Sequence, residues 1–472
     1  MEKSGEGYGT SMDGDLTRKH RNRLLLALML PNMMIVFSGS MFTVALPAIR
    51  KAFALYADIT ALLVVAFTLS FIMFLPLYGR IGDALGRGRL FLIAIGLFTI
   101  GTLVALFAPD LRILIIGRMV QGAGAAGIHP LSLSIISGSF PSAERGKALG
   151  AWESVGPLTG VLGPILGGFL IDIWGWRTVF GPILLASALT FLVIYRLSPV
   201  VDTDPGRDKG SRFLASFDWA GVILLSLSMV FMVFYVSSRP VTGIEPFKDW
   251  RMLAVSLVLV GCFILWERSR KNPYIHLGLF RIRNFSLSSV CVSIRMFLLG
   301  GFNFLIPLYL ADLYNLPAFL IGMLVMLNAG ALFVAMWAGG ILADRMRNRI
   351  LIPVGILGQV GVMVFFALLP ASSSLGFIGA GVFLHGLSAG VYLSALQHIY
   401  MRLVPQNRAG SAAGLHTMCR FFGSLLGSAV AGAFLQRGLD LGEQVISAYH
   451  SVFLILACVG IVSIPLSLIF EE

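Results

Sequence analysis

The sequence predicts an all-α polytopic membrane protein with fourteen spans: two six-helix bundles, a helix pair between them, and both termini cytoplasmic. Three observations carry that prediction. Of 472 residues, 57% are hydrophobic and 12% charged, where soluble proteins carry roughly 25% charged residues. The mean hydropathy is +0.87, and apolar runs of about 20 residues, the length of a membrane-spanning helix, recur along the chain. Basic residues alternate in density from one inter-run segment to the next, as cytoplasmic and outer loops do.

The runs fall at about 23–48, 58–78, 90–108, 113–137, 147–170 and 178–195, then 219–238 and 252–267, then 287–310, 316–339, 350–369, 376–400, 411–435 and 449–470. An even count puts both termini on one side. With the N-terminus in the cytoplasm, the inner segments hold about three times the Lys and Arg of the outer ones, and one miscounted span would cancel that bias. The net charge of +12 therefore reports topology, and no nucleic-acid partner is expected. The first residues are polar and lead into the first run without an Ala-x-Ala-like cleavage site, so that span is expected to persist and the chain to reside in the cell membrane. Cys262, Cys291, Cys419 and Cys458 lie in apolar runs without CxxC spacing and read as buried thiols.

Polar segments at 200–218 and 268–283 bound the middle pair. The division that follows is a cytoplasmic tail over 1–22, a first bundle over 23–199, linkers with the inserted pair over 200–283, and a second bundle over 284–472. An internal repeat supports it. The segment Gly79 to Arg89, with Asp83, recurs weakly as Gly340 to Arg349, with Asp344. Gln121-Gly122-Ala123-Gly124-Ala125 matches His385-Gly386-Leu387-Ser388-Ala389, and Pro141, Gly146 and Gly150 match Pro405, Gly410 and Gly414. All three lie at an offset of roughly 260 residues, which argues for duplication; two like-oriented halves around a midplane site are one major transporter architecture.

These motifs, in this order, resemble the major facilitator superfamily over essentially the whole chain, and within it the fourteen-helix drug:proton antiporters. The segment from Gly79 to Arg89 is similar to the family signature between helices 2 and 3. Arg118-Met119-Val120-Gln121-Gly122 resembles the helix-4 signature, and Gly160 to Gly168 the helix-5 antiporter signature. The resemblance implies a cytoplasmic gate built on Gly79, Asp83, Gly86, Arg87 and Arg89, with Asp344 and Arg345 as its second copy. It also implies a seam built on Gly160, Gly163, Pro164, Gly167 and Gly168, and a part for Arg118 in proton transfer or substrate contact. One departure stands out: the family usually carries an acid on helix 1 about eight positions before an Ala-Leu-Pro end, and here Ser38 precedes Ala45-Leu46-Pro47.

The residue chemistry agrees. Glycines between Gly79 and Arg89 permit a tight turn, with Asp83 placed to meet neighbouring arginines and a helix N-terminus. Arg118, Gln121, Gly122, Ala125 and His129 share one helical face, and an arginine within a span is functional by default, or else snorkels to the interface. Glu153, Gly160 and Gly167 recur at heptad spacing and form a stripe that permits close helix packing. Glu153 is also the one acid placed well inside a span, where a carboxyl can load and release a proton. The hairpin turning near Pro141 sets His129 and Glu153 at similar depth, so the pair is the candidate replacement for the helix-1 acid. Gln121, Arg295, Asn303 and Arg420 are the candidate substrate-cavity residues, and the embedded arginines lean toward anionic or amphiphilic cargo.

Gly122 to Gly127 fits G-x-G-x-x-G but lies inside an apolar helix, and no Walker loop is present. The expectation is thus a secondary exporter, not an enzyme. It needs no metal or cofactor beyond the proton gradient, works as a monomer among membrane lipids, and moves small hydrophobic or amphipathic molecules outward in exchange for protons. Export of a lipid, fatty acid or other anionic metabolite is the alternative within transport; a non-transporting sensor or scaffold is the alternative outside it.

Overall fold

The computed structural model describes residues 18–201, 217–237, 239–270, 274–345, 348–403 and 409–468. Six long helices come first: α1 (Arg18–Ala52), α2 (Ala57–Leu85), α3 (Arg87–Leu106), α4 (Leu111–Ser139), α5 (Ser142–Trp174) and α6 (Phe180–Val201). A pair follows, α7 (Trp219–Val236) and α8 (Trp250–Ser269). Six more complete the chain: α9 (Arg283–Tyr314), α10 (Ala318–Arg345), α11 (Asn348–Leu368), α12 (Leu375–Leu403), α13 (Ala409–Asp440) and α14 (Val445–Leu468). Among the described residues, 14 helices are long and apolar enough to cross a membrane, as the hydropathy predicts.

Local chemistry sets the boundaries. Asp110 caps α4, accepting a hydrogen bond from Ile113 N at 2.9 Å, and Asp218 caps α7 through Gly221 N at 3.0 Å. The segment from Gly79 to Arg89 is not the loop expected from its polarity. Helix α2 runs through Leu85, and a single residue, Gly86 at φ 95°, breaks the chain before α3 begins at Arg87. A side chain would resist that backbone angle; glycine does not. The cysteine expectation is also corrected: Cys291 is buried and Cys419 partly so, but Cys262 and Cys458 are exposed on the outer faces of α8 and α14. Thiols are apolar enough for a lipid-facing position as well as for a core.

The first six helices pack together through α3 on α4, α2 on α4 and α1 on α5; the last six through α10 on α12, α9 on α13 and α11 on α14. The repeat is visible in how these contacts are made. A methyl at Gly122 of α4 would collide with the Phe67 carbonyl oxygen of α2, and a methyl at Gly386 of α12 with the Asn328 carbonyl oxygen of α10. Each group thus brings two backbones into contact at the corresponding place, as small residues do between membrane helices.

Two seams join the groups: α5 against α10, and α2 against α13. The pair packs on the second seam through α7, which touches α2 and α13, while α8 packs on α7. Among the described residues, the cross-seam bonds cluster at the end opposite Arg18 and Leu468. There Arg50 meets Asp312 at 2.6 Å, and within the second group Tyr449 donates to the same Asp312 carboxylate at 2.7 Å. Both Asp172 oxygens accept from the first amides of α10, Ala318 N and Phe319 N, each at 2.8 Å. Gln436 Oε1 accepts from Ala57 N at 2.8 Å. Arg239, from the segment joining α7 to α8, lies 3.6 Å from Asp58 and also pairs with Asp440. The hydrogen-bonded Asp440 carboxylate, with Asp58 beside it, holds the Arg239 guanidinium above its ordinary range. These contacts shut this end, and the backbone contact of α5 with α10 runs inward from it.

Candidate functional site

Gly168 and Pro164 of α5, beside the heptad stripe, form the core of the first seam. A methyl at Gly168 would strike the Ala318 carbonyl oxygen of α10, and one at Gly322 of α10 would strike the Pro164 carbonyl oxygen of α5. The two helices therefore touch reciprocally, backbone to backbone. Gly163 and Gly167 turn the other way, onto Ser40 and Met41 of α1. Gly160 is looser, with Val36 at 3.8 Å and Ala329 at 4.0 Å from where its Cβ would stand.

Just past the end of this seam, toward the chain termini, lies Glu153. Its Oε1 is 3.7 Å from His129 Nε2, with the two side chains 61% and 47% exposed. Helical hairpin geometry placed them at one depth, and they are adjacent. The His129 ring stands edge-on to Trp152, 4.9 Å between centroids. Trp152 is fully buried and anchored by its Nε1 donating to Leu28 O at 2.9 Å, so the pair sits on a fixed platform. Arg420 of α13, in the other group, is within electrostatic range of both Glu153 and His129. Exposed yet facing a charge across the seam, Glu153 and His129 line the gap between the groups. Arg420 Nε is buried without a hydrogen-bond partner.

Arg118 is 2% exposed and does not snorkel. Its guanidinium lies between the Phe42 and Phe67 rings, 4.0 and 4.4 Å from their centroids, a cation–π sandwich. Its Nη1 donates to Gln121 Oε1 at 2.6 Å and lies 3.5 Å from Ser38 Oγ, and its Nε reaches Leu63 O at 3.4 Å. Gln121 Nε2 donates onward to Thr102 at 2.9 Å. This charge is held by neutral acceptors, and it points at the position where the family resemblance implies an acid.

Two substrate-cavity candidates are enclosed in this state. Gln121 is fully buried within the Arg118 network, and Arg295 is 1% exposed. Arg295 donates to Ala389 O at 3.3 and 3.2 Å and to Met296 Sδ at 3.1 Å, between α9 and α12. Each is enclosed because its polar atoms find partners inside its own bundle. Asn303 is half-buried and accepts from Asn328 Nδ2 at 3.2 Å. Of the gate residues, Arg87 is exposed with Nη1 3.5 Å from Ser134 O, and Arg89 is exposed. The side chains of Gly79, Asp83, Asp344 and Arg345 lie outside the described residues.

The sequence reading missed Asn328, His385, Asp58, Arg239, Asp172 and Asp312. His385 had a signal: it is the repeat partner of Gln121, and both are buried polar groups. The contacts at the shut end had none, since each joins residues far apart in the chain.

Residues 28–428 match the family model of the Major Facilitator Superfamily. The chain belongs to that superfamily. It is a multi-pass membrane transporter with the fold of that family. Relatives include the multidrug resistance protein Stp of Mycobacterium tuberculosis, 29% identical over 419 residues, covering 88% of this chain and 76% of that one. The tetracenomycin C resistance and export protein of Streptomyces glaucescens is 26% identical, covering 87% and 75%. Among solved structures, a bacterial homologue of the human lysosomal transporter Spinster, inward-facing and unoccupied, superposes with a TM-score of 0.65 at 18% identity, covering 96% and 97%. A peptide transporter bound to alafosfalin gives 0.69 at 12% identity, covering 93% of each chain.

Proposed function

We propose that this transporter is a proton-coupled antiporter of the cell membrane, exporting small hydrophobic or amphipathic compounds by alternating access as a monomer. Both termini are cytoplasmic in this reading, so the shut end is the outer one and the structure is an inward-facing state. The two bundles, 23–199 and 284–472, rock about the α5/α10 and α2/α13 seams, and the helix pair rides on the second. Relatives named for multidrug resistance and for export support the direction.

The observation that carries this reading is Glu153 beside His129 in the cleft, opposite Arg420. A carboxylate reachable from the cleft can bind either a proton or a cargo, and exclusive occupancy by one or the other is what exchange requires. The sign of cargo charge follows. A cationic cargo, or a neutral one that donates hydrogen bonds, competes with the proton for Glu153 and is exchanged for it. An anionic cargo would bind Arg420, and protonating Glu153 would free that arginine, so anion and proton would travel together. Antiport therefore goes with neutral or cationic cargo. The unpartnered Nε of Arg420 favours the second reading, transport of an anionic lipid or metabolite. Uptake of a cationic dye into vesicles with an imposed pH gradient decides between them. Gradient-driven accumulation that Glu153→Gln abolishes is the expected result; equal accumulation with and without the gradient overturns proton exchange.

A further inference from the structure

In the second bundle a chain of three polar side chains runs from the cleft into the core. Asn303 of α9 is half-buried, Asn328 of α10 is 8% exposed, and His385 of α12 is fully enclosed. Asn328 Nδ2 bonds Asn303 Oδ1 at 3.2 Å, and His385 Nδ1 bonds Asn328 Oδ1 at 3.1 Å. The imidazole is held by stacking on Phe302, 3.8 Å between centroids. Its other nitrogen, Nε2, is buried and without a partner.

That orphan fixes the direction of the whole chain. A buried N–H left unpaired is rarer and costlier than an unpaired lone pair, so Nε2 carries the lone pair and Nδ1 the hydrogen. Nδ1–H then donates to Asn328 Oδ1, which turns the Asn328 amide so that its Nδ2 donates to Asn303 Oδ1. Asn303 Oδ1 is thereby turned toward Asn328, with one of its two lone pairs engaged, and its NH2 group points the other way with two hydrogens to donate. Helix α9 lies beside α1 and α10, on either side of the gap between the groups, so the exposed end of the chain faces that gap.

We infer that His385, acting through Asn328, holds Asn303 with its amide donors toward the cleft, making the site selective for cargo that carries a carbonyl-type oxygen. His385 is a positioning residue here and does not touch cargo. The inference rests on the transporter reading above and narrows its substrate class.

The test uses the full-length protein in vesicles with two matched probes. One is 6-propionyl-2-dimethylaminonaphthalene with a 13C-labelled carbonyl; the other is its 6-propyl counterpart, which lacks the carbonyl. For the wild type, the 13C=O infrared band of bound probe shifts to lower frequency, and KM is lower for the propionyl probe by about fivefold, the worth of one neutral hydrogen bond. Asn303→Leu removes both the band shift and the preference. His385→Phe keeps the ring stack but loses the donor, so the preference falls while uptake of the propyl probe is unchanged; His385→Gln, which can donate to Asn328, restores it. Persistence of band shift and preference in Asn303→Leu overturns the inference, as does an equal loss of both probes in His385→Phe with no rescue by His385→Gln. If His385→Phe does not fold, the Asn303→Leu comparison still decides. A band shift without gradient-driven uptake supports the inference and fails the transporter reading; uptake without discrimination does the reverse.

Discussion

The Arg118 guanidinium stands 3.5 Å from Ser38 Oγ, the position at which the family resemblance implies an acid on helix 1. A buried cation held only by neutral groups is an unusual arrangement, because desolvation of an ion is costly unless a counter-charge offsets it. Ser38→Asp should therefore stabilise the protein, by about 1.5–3 kcal/mol, the worth of a hydrogen bond to a charged group, seen as a higher thermal unfolding midpoint. In an Arg118→Leu background the same substitution should lower the midpoint instead. A rise in both backgrounds would show that the carboxylate and the guanidinium do not meet.

Glu153→Gln keeps the shape of the side chain and removes the titratable group. The ratio of cargo accumulated with a pH gradient to that without one should fall about tenfold, within the usual range of coupling free energies, while exchange of cargo for cargo continues. Tracer flux in vesicles measures both. If gradient-driven accumulation survives, the proton is carried elsewhere.

The Arg239 contacts to Asp58 and Asp440 tie the helix pair to both groups at the shut end. Arg239→Ala removes the shared cation and leaves Asp58, which is fully buried, without it. A loss of about 1.4 kcal/mol would shift the balance of states tenfold toward opening at that end. Labelling of a cysteine placed by Ala318→Cys with an impermeant maleimide reports the shift, and an unchanged rate would show that the clasp carries none of the closure.

Gly168 and Gly322 allow α5 and α10 to touch through their backbones. Even Gly168→Ala places a methyl against the Ala318 carbonyl, where neither side can yield without moving a helix. Turnover and apparent affinity for cargo from the cleft side should both fall several-fold, because overpacking a tight contact costs about 1–3 kcal/mol in the state shut at this end, which is the state whose cleft is open. Stopped-flow transport and equilibrium dye binding measure the two, and an unchanged thermal unfolding midpoint separates the shift from damage to the fold. Unchanged binding would show that this contact does not set the balance of states.

The number and order of the helices were legible because each span is a local hydropathy signal, checked by the basic residues between spans. The depth match of His129 and Glu153 was legible too, since it follows from counting along one hairpin. The turn at Gly86 was misplaced because polar residues mark where a helix leaves the membrane and need not mark where it ends. Gln121 was a cavity candidate from a helical face, which does not name the helix opposite, and Arg295 from being a charge embedded in a span, which does not say where it points. The bonds at the shut end, such as Arg50 to Asp312, were invisible for a different reason: they join distant segments, and no local pattern announces them.

The Asp172 carboxylate covers the first two amides of α10. Every excursion to the opposite state must strip those N–H groups of their acceptor and hand them to solvent, then expel that solvent on return. Water at the rim of the shut end thus enters the cycle, and raising osmotic pressure with an excluded polymer on that side should slow turnover.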